Sequence, residues 1–168
     1  MELPSTVEWG LHCCWLLAQT DAPLPRRRLA EFYGLPEPYL AKVLKSLVAA
    51  GVLVATTGPG GGYLLGRPAS EITSLDVVNA IDGGTAMFRC TEIRQRGPVG
   101  LISEQCRHAC GIASLMHKAE LAWRDELAAT TIADLLTSSG TGSRRRADTW
   151  FRGAETRAAI RSSAQADA

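Results

Sequence analysis

The feature that most constrains the fold is a glycine-rich turn between two short apolar segments, residues 52–55 and 63–65. Four of the seven residues between these segments are glycines, a composition that predicts a β-hairpin. Three helices are predicted before the hairpin, over residues 7–18, 26–33 and 36–50. This order predicts a winged helix-turn-helix, in a chain that is mainly α with a small β-wing.

The second half of the chain predicts further helices. A short helix is expected over residues 72–81, and a long amphipathic helix carries apolar residues at helical spacing, namely Ile112, Leu115, Met116, Ala119, Trp123 and Leu127. The tail is rich in Ser, Gly, Arg and Ala, which predicts disorder. The predicted units are a winged helix-turn-helix domain (1–82), a loop (83–111), a long-helix region (112–137) and a disordered basic tail (138–168).

Several residues of the predicted winged helix suit contact with DNA. The net charge is only +1, so a DNA-binding face has to be local. The candidates are side chains on the outer face of the third helix, an arginine run that starts the second, and glycines that let the turn approach a phosphate: Tyr39, Lys42, Lys45, Arg26, Arg27, Arg28, Gly60 and Gly61. The alternative interpretation is an ordinary solvated surface.

The five cysteines indicate metal binding or redox chemistry. The sequence has neither a signal peptide nor an apolar stretch of about 18 residues, so we expect a cytoplasmic protein that does not contact membranes. Cys90, Cys106 and Cys110 lie in the 83–111 loop, where three thiolates can surround one iron–sulfur site. Unliganded, buried cysteines are the alternative. Cys13 and Cys14 point about 100° apart on the first helix, and we interpret them as core residues.

Glu8 and His12 are candidate metal ligands on the first helix. They lie four residues apart, so both project from one face. Ser5 and Glu8 also have the form of a capping box, which gives Glu8 a competing role. His12 has the alternative of a partly buried histidine bonded to backbone, and Trp9 is either a packing residue or a redox relay beside a ligand. The spacing alone leaves these alternatives open.

A resemblance to a known family rests on the segments YLAKVLKSL (39–47), GGGYLLGRP (60–68) and ITSLDVVNAIDG (72–83). These segments resemble the signature of the Rrf2 family of winged-helix regulators, which are IscR- and NsrR-like, and the resemblance covers residues 1–137. It implies a homodimer, paired through the long C-terminal helix, that reads an imperfect palindrome in double-stranded DNA. Thr57 and Pro59 depart from the family, which often has Arg or Lys before the glycines.

Further segments, such as VEW (7–9), LHCC (11–14) and CTEIRQRGP (90–98), resemble the redox-sensing branch of that family. The resemblance implies a 2Fe–2S cluster shared across the dimer interface, with Cys90 and Cys110 from one subunit and Glu8 and His12 from the other. Cys106 is the alternative ligand, and His108 is a further one. Residues 83–111 would then be a cluster-binding loop.

The sequence therefore predicts a redox-sensing, DNA-binding transcription regulator. An enzyme is not expected, because the chain has no Cys-x-x-Cys motif and no nucleophile–base pair within one motif. The alternative is a clusterless member of the family, regulated by thiol oxidation, a small molecule or a partner protein.

Overall fold

The computed structural model describes the backbone of residues 3–166 and the side chains of residues 3–153. Its helices are α1 (Ser5–Leu17), α2 (Arg26–Tyr33), α3 (Glu37–Ala49), α4 (Ser74–Asp82), α5 (Gly111–Ala129), α6 (Ile132–Ser138) and α7 (Thr141–Ala166). The strands β1 (Leu53–Thr56) and β2 (Gly62–Leu65) form an antiparallel pair. Within residues 3–166, no helix combines the length and the apolar character that a membrane span requires.

The core lies between α1, α2, α3 and α4. The apolar residues of α3 recur at the helical spacing that predicts one buried stripe, and the structure buries four of them: Leu40, Val43, Leu44 and Leu47. Cys13 and Cys14 are also fully buried, which confirms their interpretation as core residues. Burial raises the pKa of Cys13 to about 12 and also raises the pKa of Cys14, so both stay protonated thiols.

Helices α1 and α4 approach each other closely at Gly10. A Cβ atom at this position would lie 2.3 Å from Cδ1 of Ile81 and 3.3 Å from Cγ1 of Val77, both on α4. A side chain at this position would require the Ile81 side chain to shift, so glycine allows the closest approach of the two helices. Gly10 lies about half a turn around α1 from Glu8 and His12, so α4 packs on the opposite side of α1 from these two residues.

The hairpin is joined to the rest of the domain through the first residues of β2, next to the turn. The strands pair from Leu53 with Leu65 to Thr56 with Gly62. The amide of Leu24, just before α2, donates to the carbonyl of Tyr63 (3.0 Å), and the amide of Tyr63 donates back (2.9 Å). A Cβ on Gly62 would lie 2.4 Å from the backbone of Leu24, so this position requires glycine. The wing is therefore held in a fixed position beside α2.

The chain leaves the core with α5 and returns to it with α6. Helix α5 has no buried residue among its 19, and Ile112 and Leu115 are 68% and 64% exposed. Its C-terminal half contacts α4, where the Arg124 guanidinium donates to Oδ1 of Asn79 (3.2 Å). Ile132 at the start of α6 is fully buried in the winged-helix core. The apolar N-terminal half of α5 is thus exposed.

The predicted disordered tail is wrong for the described part of residues 138–168, because α7 occupies Thr141–Ala166. The helix is held by tertiary contacts with α2. Ala147 is fully buried, and the Trp150 ring packs edge-on against Phe32 with centroids 5.2 Å apart. The Arg28 guanidinium lies 3.7 Å from the centroid of the Trp150 ring, a cation–π contact. Residues 167 and 168 lie outside the described residues.

Candidate functional site

The outer face of α3 presents the predicted DNA-contacting side chains. Tyr39 is 61% exposed, and Lys42 and Lys45 are exposed beside it. Nζ of Lys42 lies 5.7 Å from the centroid of the Tyr39 ring. The leucines and the valine of the buried stripe fix the opposite side of the helix to the core. The structure therefore has an aromatic ring and two positive charges together on a solvent-facing surface that can approach phosphates.

The three arginines at the start of α2 differ in their surroundings. Arg26 pairs with Glu37 at the start of α3 (2.8 Å), and Arg27 pairs with Glu31 (3.0 Å) while remaining 80% exposed. Arg28 is only 22% exposed, because Trp150 of α7 covers it and Glu31 lies 3.6 Å away. Among the three, Arg27 is therefore the most accessible to DNA.

The wing tip exposes backbone and no positive side chain. Residues 57–61 form the turn, and Gly60 is open to solvent, since a Cβ added there would meet no atom within 4 Å. At Gly61 a Cβ would lie 2.4 Å from the carbonyl oxygen of Thr56, so the turn needs glycine there. Residues 52–66 contain no Lys or Arg. Any wing contact with DNA would therefore be made by backbone groups.

The loop before α5 holds three free thiols. Cys90 is exposed, and Cys106 and Cys110 are half-buried. Cys110 is the N-cap residue of α5, where its Sγ accepts a hydrogen bond from the amide of Ala113 (3.5 Å). The Cys110 sulfur therefore lies at the positive end of the α5 helix dipole.

Arg94 connects the two ends of this loop. Its guanidinium donates to both carboxylate oxygens of Glu92 (2.8 and 2.9 Å) and to the carbonyl of His108 (3.0 Å). Glu92 has a φ of 50°, a left-handed conformation that is unusual outside glycine and is held here by the ion pair. Hydrogen bonding to the Glu92 carboxylate raises the pKa of Arg94, which stays protonated, and Arg94 lies close enough to Cys106 and Cys110 to interact with them electrostatically. A permanent positive charge thus lies near both sulfurs.

Glu8 and His12 both lie on the exposed side of α1. The predicted capping box is wrong: Pro4 is the N-cap residue and Ser5 already lies inside the helix, so no side chain caps this end. Both side chains are exposed and border one open hollow of about 260 Å³. Neither forms a hydrogen bond or an ion pair with any described side chain. The competing structural role of Glu8 is therefore removed.

The surroundings of His12 also differ from the predicted alternative. The ring is exposed rather than partly buried, and its centroid lies 5.3 Å from that of Tyr33. The Tyr33 hydroxyl donates to the backbone oxygen of His12 (2.7 Å), and burial raises the pKa of Tyr33, which keeps this donor protonated. Trp9 is half-buried against the core. Helix α2 therefore contacts α1 directly at a candidate ligand.

Within one chain, the described residues do not bring three or more His, Cys, Asp or Glu side chains together around a common metal position. Sequence reasoning missed Arg94 and the contacts of α7. The local signal for Arg94 was its place within the cysteine segment, and the signals for α7 were Ala147, Trp150 and Phe151 at helical spacing in a basic segment.

Comparison with known proteins assigns most of the chain to one family. Residues 3–138 match the Rrf2 family, described as iron-dependent transcriptional regulator. Protein aau3 of Rhizobium meliloti (strain 1021) is 37% identical over 137 residues, 81% of this chain and 85% of that protein. The HTH-type transcriptional regulator IscR of Photorhabdus laumondii subsp. laumondii is 36% identical over 74 residues, 44% of this chain and 45% of IscR.

A solved structure has the same fold. CymR (YrzC), the global cysteine regulator of B. subtilis, superposes with a TM-score of 0.67 and 20% identity, over 83% of this chain and 99% of CymR. The predicted fold, mainly α with a small β-wing, is confirmed. The matched family and IscR are transcription regulators and not enzymes, as predicted.

Proposed function

Because this chain belongs to the Rrf2 family of DNA-binding transcriptional regulators, we propose that it acts as a homodimer whose DNA binding responds to redox state through a 2Fe–2S cluster. Rrf2 regulators are generally dimeric, and the exposed apolar half of α5 supports pairing through this helix. A two-fold dimer presents two copies of α3 and therefore suits an imperfect palindrome in double-stranded DNA. Binding to DNA would locate this activity in the cytoplasm.

The observation that carries the cluster proposal is the pair Glu8 and His12. A carboxylate and an imidazole share one exposed face of α1 and have no hydrogen-bond or ion-pair partner among the described side chains. Charged and polar groups at such positions commonly form ion pairs or capping bonds, and here both remain available as ligands. Together with the accessible thiols of Cys90 and Cys110, they form a donor set that fits iron.

The proposed ligands would be Cys90 and Cys110 from one subunit and Glu8 and His12 from the other, as in the redox-sensing branch that the sequence resembles. When bound, a 2Fe–2S cluster supplies one-electron redox chemistry, and histidine or carboxylate ligation raises its potential above that of an all-cysteine site. Arg94 would hold a positive charge near the Cys110 sulfur. Trp9 is proposed as a relay because it lies between the ligand face of α1 and the core.

The path from the ligand face to DNA runs through packed helices. Helix α1 contacts α3 directly and α4 along its opposite side. A change in how Glu8 and His12 are held would shift α1, and α3 would move with it relative to the operator half-site. A coupling of a few kcal/mol is enough to change DNA occupancy substantially.

Iron and acid-labile sulfide analysis of anaerobically purified protein, with an absorbance spectrum, tests the cluster directly. We expect about four irons and four sulfides per pair of subunits, because the two-fold axis generates two equivalent sites, each with two ligands from either subunit. A colourless protein without iron would contradict the cluster and favour the clusterless alternative. DNA binding by the family fold would be unaffected by that outcome.

The proposed DNA face gives a separate prediction. Lys45→Ala is expected to weaken binding to all DNA sequences alike, because the ammonium group contacts phosphates, and to reduce the slope of log Kobs against log salt by about one. Filter binding or fluorescence anisotropy over a salt series measures both quantities. Lys118→Ala, an exposed lysine on α5, is the matched control and should leave both unchanged. Equal affinity of Lys45→Ala and the wild type would show that another face binds DNA.

A further inference from the structure

A cavity of about 410 Å³ lies between α1, α2, α6 and α7. It takes residues from each of these helices and adjoins the hollow beside Glu8, with which it shares Leu11 and His12. Cavities of this size are typical of sites for small organic ligands, which usually combine apolar walls with a few polar groups.

The inner wall of the cavity is apolar and well ordered by its contacts. Trp15 and Phe32 are buried, and Leu11 is half-buried beside them. The indole Nε1 of Trp15 donates to Oγ of Ser139 (2.5 Å), which fixes the plane of the ring. Phe32 and Tyr33 pack edge to face with centroids 4.7 Å apart. These walls suit a flat or short apolar body.

The outer wall carries a positive charge from Arg146 on α7. One Nη2–H donates to the carbonyl oxygen of Phe32 (2.5 Å), and the guanidinium lies 4.4 Å from the centroid of the Phe32 ring. Of the described carboxylates, none lies within ion-pair distance of it. A guanidinium has five N–H donors, so most of its donors remain for a ligand.

Several other arginines already have partners for their guanidinium groups, in contrast to Arg146. Arg26, Arg27, Arg67 and Arg94 each pair with a carboxylate, and Arg144 donates to backbone carbonyls of α6. The Arg146 guanidinium lies against an aromatic ring, is held in position by its hydrogen bond and faces the open cavity. Its charge is not neutralised by a carboxylate of the described residues. The hydroxyls of Ser138 and Ser143 lie at the same rim and add hydrogen-bonding groups. A bidentate, singly charged anion is the group that this arrangement recognises.

We propose that this cavity binds a small monocarboxylate with an aromatic or short aliphatic body, with the carboxylate on Arg146 and the body against Trp15 and Phe32. His12 lines this cavity and is also a proposed cluster ligand, but the three residues that would hold the carboxylate and its body are Arg146, Trp15 and Phe32, and none of them is a cluster ligand. Since α2 and α7 both line the cavity and already contact each other through Phe32 and Arg146, the ligand would add to the contacts that hold the C-terminal helix on the DNA-binding domain.

The test is calorimetric titration of the full chain with indole-3-carboxylate, benzoate and hexanoate, each compared with its neutral amide. At least one carboxylate is expected to bind about tenfold more tightly than its amide, the factor typical of one charge-assisted hydrogen bond. Arg146→Gln should abolish this preference. Arg145→Gln removes the same charge from the next residue, which does not line the cavity, and should retain it.

Ser143→Phe is a second test of the cavity, and it does not remove the contact that Arg146 makes between α7 and α2. This substitution lies at an exposed position of the rim, fills the cavity and leaves Arg146 in place, so it should block binding with an unchanged helical circular-dichroism signal. The proposal is overturned if all three carboxylates bind no more tightly than their amides, if Arg145→Gln loses the preference equally, or if Ser143→Phe still binds the carboxylate.

Discussion

Cys90→Ala and Cys110→Ala are each expected to abolish the 2Fe–2S absorbance spectrum of the anaerobically purified protein, whereas Cys106→Ala should retain it. Removing a thiolate from a two-cysteine site leaves one strong iron ligand, and carboxylate and imidazole ligands do not compensate for it. Cys106 is the matched control because it lies in the same loop, is half-buried like Cys110 and lies near the same arginine. It differs in that only Cys110 caps α5.

A substitution on α1 further distinguishes the proposed mixed-ligand site from a site with three cysteine ligands. His12→Ala should shift the midpoint potential or destabilise the cluster, because the neutral imidazole is lost from the proposed ligand set. The potential is measured by anaerobic redox titration of the visible spectrum. A cluster lost in Cys106→Ala but unchanged in spectrum and potential in His12→Ala would show that the site uses three cysteines, as their spacing alone suggests.

Leu115→Glu is expected to convert the dimer to a monomer and to reduce operator affinity by at least about a hundredfold, because a single half-site loses the contribution of its linked partner. In a two-fold interface the substitution places two carboxylates in an apolar contact, and each carries a desolvation penalty of several kcal/mol. Leu115 is 64% exposed and contributes nothing to the core of one chain, so the fold should survive.

Sedimentation and DNA titration measure the two effects of Leu115→Glu. His117→Glu introduces the same side chain on the other side of α5, where the residue is exposed and lies off the apolar stripe. It should leave both the dimer and the operator affinity intact. Dimeric Leu115→Glu with normal affinity would mean that the subunits pair through another surface.

The sequence predicted those parts of the fold that depend on local pattern. The α3 stripe and the glycine turn are each encoded within a few residues, and the structure contains both. Helix α7 was not predicted, because its Ser, Gly and Arg content is typical of disorder and its stability comes from Trp150 and Ala147 meeting α2 more than a hundred residues earlier.

Some features of the candidate site also followed from local sequence pattern, whereas others depended on the tertiary structure. The shared face of Glu8 and His12 followed from helical spacing, although the capping alternative was removed only by the position of Pro4 in the structure. Arg94 was not found, because its bond to His108 spans fourteen residues of irregular chain and depends on the left-handed backbone at Glu92.

The close contact at Gly10 has a mechanical consequence. At this position α1 has no side chain of its own and lies directly against Ile81 and Val77 of α4, so a displacement of α1 would press on α4. Helix α4 also contacts α3 and α5. A small tilt imposed on the outer side of α1 would then be passed through α4 to two helices at once: α3, which presents the proposed DNA-binding face, and α5, the proposed dimerisation helix.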